Sequence, residues 1–193
     1  MPHTSEQKQK LRQAILERIQ HMNEQSKAAE SRSIVRRILE VLPTDGAICA
    51  FVPMKTEPDI RPLLEQLLQS GRLLFLPSFD GRHLVMRKIE TLSDLIQSTF
   101  GIPEPPPACP PLDPKEPAVV LIPGRAFDRT GKRLGRGNGG YDRWITAHRK
   151  ENGQSLYYGV AFECQIVSAV PTEAHDAPLD GIVTVRGLER AQR

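Results

Sequence analysis

Apolar positions along the chain follow a helical spacing in several stretches. In residues 4–24, the apolar side chains of Leu11, Ile15, Ile19 and Met22 fall on one face of a helix. Pro43 ends the second such stretch, residues 28–42, because proline cannot continue a helix. The predicted helices cover residues 4–24, 28–42, 60–68, 91–98 and 140–150.

Other apolar stretches are continuous rather than periodic, which is typical of strands buried on both faces of a parallel sheet. The predicted buried strands cover residues 47–52, 73–76, 118–122, 156–161 and 182–185, the last of these being the final strand. Residues 83–89 are predicted to form an edge strand. This alternation of strands and helices predicts an α/β protein with a mostly parallel sheet, in which ligands lie at the carboxyl ends of the strands. Two loops stand out there, residues 53–58 and 123–140.

Composition excludes several classes of protein. Of the 193 residues, 39% are hydrophobic and 25% are charged, which is unlike a disordered chain. The three cysteines have no ligand-like spacing, so neither a disulfide framework nor a structural zinc site is indicated. The charged N-terminus is unlike a signal peptide, and no apolar run approaches the ~20 residues that span a bilayer. A cytoplasmic protein without a membrane partner is therefore expected.

Proline and glycine are concentrated in two separate segments. Eight prolines lie between Pro103 and Pro117, and six glycines lie between Gly124 and Gly140. Strands of one predicted sheet stand on both sides of the proline run, so residues 103–117 are interpreted as a stiff surface crossover within one domain covering residues 1–193.

The glycine-rich loop, residues 124–140, carries the strongest chemical signal. Alternate glycines let backbone N–H groups approach an anion, and a following helix adds its positive N-terminal end. Arg133 and Arg136 are candidates for phosphate contacts, and Asp142 for a magnesium ligand. The spacing fits neither a Walker A loop nor a dinucleotide fingerprint, which must open directly after its strand. By spacing alone, a flexible basic surface loop is an equally good interpretation.

Four residues outside the loop are further candidates, each with an ordinary alternative. Lys8 and Arg12 lie one helical turn apart, beside the apolar stripe, and either reach a phosphate or form a solvated helix face. Glu57, between two prolines, is either a ligand for an amine-rich ring or an exposed loop acid. Asp176 is either a second magnesium ligand or a turn residue.

Taken together, these segments resemble the 5-formyltetrahydrofolate cyclo-ligase family, also called methenyltetrahydrofolate synthetase. The resemblance covers nearly the whole chain in order, and its most specific element is the long glycine-rich segment. One departure is Gly140, where many members have an aromatic residue before the Tyr-Asp pair. The matching segments are residues 8–12, 54–59, 101–105, 122–143 and 173–176.

The resemblance implies a three-layer α/β/α sandwich and an ATP- and Mg²⁺-dependent enzyme of one-carbon metabolism. In the family's chemistry, the formyl oxygen of 5-formyltetrahydrofolate attacks the γ-phosphate to give an iminium phosphate. Ring closure then gives 5,10-methenyltetrahydrofolate, with release of ADP and phosphate.

Site roles carried over by motif match fall into four groups, with Arg136 and Tyr141 as the catalytic pair. The magnesium ligands would be Asp142 and Asp176, and the folate would contact Val52, Glu57, Arg136, Gly137, Asn138, Gly139 and Gly140. The ATP contacts would be Lys8, Arg12, Arg133, Leu134, Gly135, Arg136, Gly137, Asn138, Gly139, Gly140, Tyr141 and Asp142.

Two other functions stay open on the sequence. One is a different small ATP-dependent phosphoryl-transfer enzyme, and the other is a non-catalytic basic module that binds nucleotides or RNA. The net charge of +3 is too small to indicate a nucleic-acid partner, and aromatic residues are only 5% of the chain. A monomer that acts on 5-formyltetrahydrofolate, with or without a polyglutamate tail, is expected.

Overall fold

The computed structural model describes residues 2–81, 83–98 and 101–192, and its centre is a seven-stranded sheet. The strand order is β12-β11-β9-β6-β1-β2-β3. Neighbouring strands from β11 to β2 are parallel, whereas β12 and β3 pair antiparallel at the two ends. The strands are β1 (Ala47–Cys49), β2 (Leu73–Phe79), β3 (Leu84–Ile89), β6 (Ala118–Ile122), β9 (Leu156–Val160), β11 (Gly181–Thr184) and β12 (Gly187–Arg190).

Helices cover both faces of this sheet, which confirms the predicted three-layer α/β/α arrangement. The helices are α1 (Pro2–His21), α2 (Glu24–Val41), α3 (Arg61–Gln69) and α4 (Gly140–Glu151). Side chains of β1 alternate between two cores: Ile48 packs with α1, α2 and α3, while Ala47 and Cys49 pack on the side of α4. Each strand therefore needs apolar residues at successive positions, which is why the buried strands are continuous apolar runs.

Two smaller sheets complete the strands. One contains β7 (Ala126–Asp128), β8 (Arg133–Leu134) and β10 (Ile166–Val167), and the other pairs β4 (Ile96–Gln97) with β5 (Pro103–Glu104). The pairing of β7 with β8 is antiparallel and folds part of the glycine-rich loop into a hairpin. The sequence did not predict this hairpin, because its strands are only two and three residues long.

Two predicted elements were wrong. Residues 91–98 do not form a helix: a single 3-10 turn, Leu92–Asp94, is followed by β4. The side chain of Thr91 caps this turn at Ser93, and pairing with β5 then holds Ile96 and Gln97 extended. The strand predicted over 182–185 is β11, and it is not the last, because Gly187 turns the chain back into β12 with φ of +112°. β12 is partly exposed and therefore has no continuous apolar run.

The proline-rich run lies along the outer side of β3. The N–H of Lys88 donates to the carbonyl of Pro110, and the N–H of Leu112 donates to the carbonyl of Met86, each over 2.8 Å. Most of residues 106–117 are exposed, as expected of a surface crossover. Prolines beside an edge strand also restrict pairing with another chain, since they offer no N–H.

The sheet places the loop that follows β1 beside the loop that follows β6. β1 lies between β2 and β6, so the chain leaves the carboxyl ends of β1 and β6 toward opposite halves of the sheet. Such a switch point opens a crevice in which α/β proteins bind ligands. No helix in the described ranges is both long and apolar enough to cross a membrane.

Candidate active site

The glycine-rich loop reaches the crevice through the β7–β8 hairpin and ends at α4. The N–H of Arg125 donates to the carbonyl of Leu134 over 2.7 Å, which closes the base of the hairpin. Beyond it, Gly137 has φ of +114° and Gly139 has φ of +63°, conformations that residues with a Cβ rarely adopt. α4 begins at Gly140, as predicted. The glycines are therefore required by the backbone path into this helix.

Arg133 and Asp142 form a buried ion pair between the hairpin and the first turn of α4. One guanidinium nitrogen of Arg133 donates to both carboxylate oxygens of Asp142, each over 2.9 Å. A second nitrogen donates to the carbonyl of Pro123 over 3.2 Å, whereas the buried Nε has no hydrogen-bond partner within the described chain. Arg133 thus fixes the glycine-rich loop against both its preceding strand and its following helix.

Lys8 lies on the buried face of α1 and not on a solvated face. It is 7% exposed and precedes the fully buried Ile15 and Ile19 on the same stripe. Its Nζ donates to Asp176 and to Glu173, each over 2.7 Å. The position beside the apolar stripe that was predicted for Lys8 was wrong, because the sequence does not show that acidic partners from residues 173–176 cover this end of the helix.

Charge pairing shifts the pKa values of this cluster. Burial by itself would lower the pKa of the Lys8 ammonium, but the hydrogen bonds from Lys8 to Asp176 and Glu173 outweigh it, so this pKa is raised. Burial would raise the pKa of Asp176, yet the same contact with Lys8 holds it below its usual value. The pKa of Glu173 is also lowered by the hydrogen bond from Lys8. All three groups are therefore charged at neutral pH.

Arg12 lies one turn further along α1 and contacts the glycine-rich loop directly. Its Nε donates to the carbonyl of Gly135 over 3.0 Å. Its guanidinium also lies beside Gly137, where an added Cβ would come within 3.6 Å of it. Arg12 thus contacts the loop directly, and Lys8 lines the same pocket as the loop residues Gly135 and Gly137.

Glu57 is buried, so the alternative of an exposed loop acid was wrong. The residue is 5% exposed, and its Oε1 accepts a 2.5 Å hydrogen bond from Arg136. Its Oε2 accepts from the N–H of Met54 over 2.9 Å, which closes a tight turn after β1. The loop after β1 and the glycine-rich loop are therefore joined by an ion pair across the crevice.

Two adjoining pockets are lined by these residues. An aromatic pocket has Phe51, Phe79 and Tyr141 on its walls, and a charged pocket lies between α1 and the glycine-rich loop. Arg133, Gly135, Gly139 and Asp142 line both pockets. The aromatic pocket also contains Val52, Glu57, Pro77, Ile102, Pro103, Glu104, Pro123, Gly124, Arg136 and Asn138. The charged pocket also contains Ser5, Lys8, Arg12, Leu134, Gly137, Glu173, His175 and Asp176.

Tyr141 faces the aromatic pocket from the first turn of α4. The guanidinium carbon of Arg133 lies 5.6 Å from the centre of its ring. Burial raises the pKa of the Tyr141 hydroxyl, so the hydroxyl is protonated at neutral pH and is available as a hydrogen-bond donor.

Gly140 lines neither pocket. A Cβ at this position would lie 3.1 Å from the ring of Phe79. Phe79 therefore places an aromatic ring beside position 140, where this chain has no side chain of its own. No sequence pattern indicated Phe79, because it lies on β2, away from the glycine-rich loop, and outside every matching motif.

The donor set of the charged pocket fits Mg²⁺ only together with a phosphate ligand. Asp142 and Asp176 are on its lining, but no group of three or more metal-ligating side chains occurs in the described ranges. Mg²⁺ commonly takes one or two carboxylates plus substrate phosphates, which matches this pair. Each carboxylate already contacts a basic side chain, Arg133 for Asp142 and Lys8 for Asp176. Anionic phosphates would give these cations a second partner.

A family model described as the 5-formyltetrahydrofolate cyclo-ligase family matches residues 4–185. The chain belongs to this family. It is 32% identical to the 5-formyltetrahydrofolate cyclo-ligase of Mycolicibacterium smegmatis over 92% of this chain and 93% of that protein. It is also 34% identical to the enzyme of the same name from Escherichia coli K12, over 71% of this chain and 76% of that protein.

Solved structures agree with this assignment. The 5,10-methenyltetrahydrofolate synthetase of Aquifex aeolicus superposes with a TM-score of 0.80 at 29% identity, covering 96% of this chain and 93% of that chain. The synthetase of Mycoplasma pneumoniae has the same fold, with a TM-score of 0.72 at 21% identity, covering 92% of this chain and 98% of that chain. The protein is thus an enzyme of the cyclo-ligase family, and the two pockets are its candidate active site.

Proposed function

We propose that this cyclo-ligase converts 5-formyltetrahydrofolate and ATP into 5,10-methenyltetrahydrofolate, ADP and phosphate, with Mg²⁺ bound. The observation that carries the proposal is the pair of adjoining pockets with different chemistry. One is walled by aromatic rings and a buried carboxylate, and the other by basic side chains and a glycine-rich backbone. Four residues common to both linings make a shared wall across which a phosphoryl group can pass.

The folate ring is assigned to the aromatic pocket. Phe51, Phe79 and Val52 supply apolar walls for a planar ring, which buries well against such surfaces. Glu57 supplies acceptors for ring N–H groups: each of its oxygens already takes one hydrogen bond, and a carboxylate has about four acceptor sites. Of the other folate contacts that the resemblance implies, Arg136, Asn138 and Gly139 line this pocket. Gly137 lines only the charged pocket, and Gly140 lies behind Phe79 and lines neither.

The ATP phosphates are assigned to the charged pocket. Lys8 and Arg12 enter it from α1, and Arg133 from the hairpin. Phosphate oxygens accept hydrogen bonds from such cations and from backbone N–H groups at glycines and helix N-termini. The backbone from Leu134 to Asn138 would form the cradle, and Gly139 and Gly140 lead into the positive end of α4.

Mg²⁺ would be held by Asp142 and Asp176 together with the phosphates. Its chemistry there is neutralisation of the phosphate charge. The remaining tasks belong to the chain itself. The ion pairs from Lys8 and Arg133 hold these two carboxylates in place before any ligand arrives.

Arg136 and Tyr141 are assigned to the reacting groups. The formyl oxygen attacks the γ-phosphorus while the bond to ADP breaks. The second folate nitrogen then attacks the formyl carbon, loses its proton, and the carbon–oxygen bond breaks to release phosphate. Arg136 carries a positive charge beside the aromatic pocket, where the transferring phosphoryl group would enter, and the Tyr141 hydroxyl can donate to an oxygen there. The enzyme would act in the cytoplasm as a monomer with a single domain. Its folate substrate would carry a polyglutamate tail or none.

A spectroscopic assay tests this function. Purified protein mixed with 5-formyltetrahydrofolate and Mg-ATP is expected to develop the near-ultraviolet absorbance of the methenyl product, with one ADP formed per product. Omission of ATP, or chelation of the metal, is expected to abolish the change. Folded protein that forms no methenyl product with all components present would refute the proposed function.

A further inference from the structure

Glu104 is a buried acidic residue on the lining of the aromatic pocket, and the function proposed above assigns no role to it. It belongs to β5, at the start of the proline-rich run, and is 8% exposed. Its Oε2 accepts a 2.9 Å hydrogen bond from the N–H of Phe79. Pairing of Glu104 with Ile96 of β4 fixes the backbone on the other side. The side chain is thus held in a defined orientation at the pocket wall.

The second oxygen of Glu104 has an open acceptor position. Within the described residues, Oε1 makes no hydrogen bond and the carboxyl group forms no ion pair. Glu57 differs in this respect, because Arg136 and the N–H of Met54 occupy its two oxygens. Oε1 is not one of the fully enclosed side-chain atoms that lack a partner in the described residues, so it keeps accessible surface, and Glu104 lines the aromatic pocket. An acceptor that is oriented by the fold and faces a ligand pocket is therefore expected to find its partner on the ligand.

We propose that Oε1 of Glu104 accepts a hydrogen bond from an N–H group of the folate ring. Glu104 would thus be a second carboxyl acceptor for the ring, in addition to Glu57. This inference rests on the proposed function. The reduced pterin ring carries several N–H donors and is the nitrogen-rich part of the substrate. The glutamate tail is anionic, so a carboxyl group in an apolar pocket would disfavour it. The ring is therefore the part of the substrate that Glu104 recognises.

Two carboxyl acceptors orient a planar ring better than one. A single hydrogen-bonding residue lets the ring turn in its plane, whereas a second one fixes the direction in which the formyl group points. Pro77 and Phe79 of β2 and Pro103 of β5 line the same wall, so the ring would be held between the two strands. The beginning of the proline-rich run thereby gains a function, namely to bring Glu104 over the pocket.

The variant Glu104→Gln tests the contact. Glutamine has one acceptor oxygen where glutamate has two, so it cannot serve both the N–H of Phe79 and the ligand. Affinity for 5-formyltetrahydrofolate, measured by titration without ATP, is expected to fall about ten-fold. Affinity for ADP, which is assigned to the charged pocket, is expected to be unchanged. Glu116→Gln is the matched control, because Glu116 is an exposed acid on the same crossover.

Fragments of the substrate separate ring recognition from tail recognition. Glu104→Gln is expected to weaken binding of 5-formyl-6-methyltetrahydropterin and to leave binding of p-aminobenzoylglutamate unchanged. A folded variant with wild-type affinity for the ring fragment, or one that loses affinity only for the tail fragment, would overturn the inference. If the variant does not fold, Glu104→Asp, which keeps both oxygens on a shorter side chain, is measured in the same way. Failure of the wild-type protein to form methenyl product would instead refute the proposed function.

Discussion

Arg136 and Glu57, which are 79 positions apart in the sequence, form an ion pair that joins the two loops of the crevice. The side chain of Glu57 is 2% exposed and that of Arg136 is 34% exposed. The carboxylate therefore lies inside the aromatic pocket, while the guanidinium stands at its rim. This geometry allows Arg136 to neutralise a buried acid on one side and to face an incoming phosphoryl group on the other.

Replacement of Arg136 by alanine is expected to lower turnover by about 100-fold, the usual effect of removing one group that stabilises transition-state charge. Arg136→Lys keeps the charge but not the planar donor set, so its turnover is expected to lie between those of the wild type and Arg136→Ala. Steady-state kinetics on folded protein checks both values. Wild-type turnover in Arg136→Ala would remove this residue from the chemistry.

Asp142→Asn is expected to affect stability as well as activity. Its partner Arg133 has a side chain only 4% exposed, so loss of the carboxylate leaves a buried charge unpaired. Breaking such a pair costs about 3–5 kcal/mol, which urea unfolding would detect. The Mg²⁺ concentration for half-maximal turnover is also expected to rise.

Asp45→Asn, at an exposed position, is the control for Asp142→Asn. An unchanged Mg²⁺ requirement in a folded Asp142→Asn protein would contradict the assignment of this aspartate as a metal ligand, whatever happens to its stability.

The contacts of Lys8 with Asp176 and Glu173 predict a pH-dependent contribution to stability. The lowered pKa values of the two acids mean that the stabilisation is complete above their unfolded values, 3.8 and 4.5, and disappears as pH falls through the folded values. The raised pKa of Lys8 means that the stabilisation is complete below 10.5 and disappears as pH rises through the folded value. Between these limits the contribution is constant.

Melting temperatures of the wild type and Lys8→Met, measured across pH, test this prediction. The difference between them is expected to be constant through neutral pH and to shrink in acid below about pH 4. Lys10→Met is the control, since Lys10 is exposed and forms its ion pair with Glu6, on the same helix. A difference that persists undiminished in acid would show that the ion pairs do not hold α1 in place.

Gly137→Ala is expected to weaken ATP binding through the backbone alone. Gly137 has φ of +114°, and an added Cβ would lie 3.6 Å from the Arg12 guanidinium. Holding alanine in this conformation costs about 1–3 kcal/mol, so the KM for ATP is expected to rise about ten-fold or more. Gly153→Ala, where an added Cβ meets nothing, is the control. An unchanged KM for ATP would show that the backbone conformation at Gly137 is not needed for phosphate binding.

Elements with a strong local pattern were predictable from the sequence. The apolar runs of β1, β6 and β9 and the periodic face of α3 are each visible within a few residues, because burial there follows directly from side-chain type. The glycine-rich loop was also visible, since backbone conformations with positive φ restrict residue type at Gly137 and Gly139.

Features that depend on distant partners were not predictable in this way. The buried Lys8 pairs with Glu173 and Asp176, which are more than 160 positions away. The buried Glu57 pairs with Arg136 from the other side of the crevice. Phe79 and Glu104 enter the aromatic pocket through the sheet and the short β4–β5 pairing. Glu104 lies in the matching segment 101–105, but that segment indicated no role for it, and no pattern marked Phe79.

Phosphoryl transfer across the wall that the two pockets share is tested most directly by following the formyl oxygen. 5-Formyltetrahydrofolate labelled with ¹⁸O in the formyl group is incubated with the enzyme and Mg-ATP in unlabelled water, and the released phosphate is analysed by mass spectrometry. One ¹⁸O atom is expected in each phosphate, in step with methenyl product. Methenyl product accompanied by unlabelled phosphate would contradict direct phosphoryl transfer between the aromatic and charged pockets.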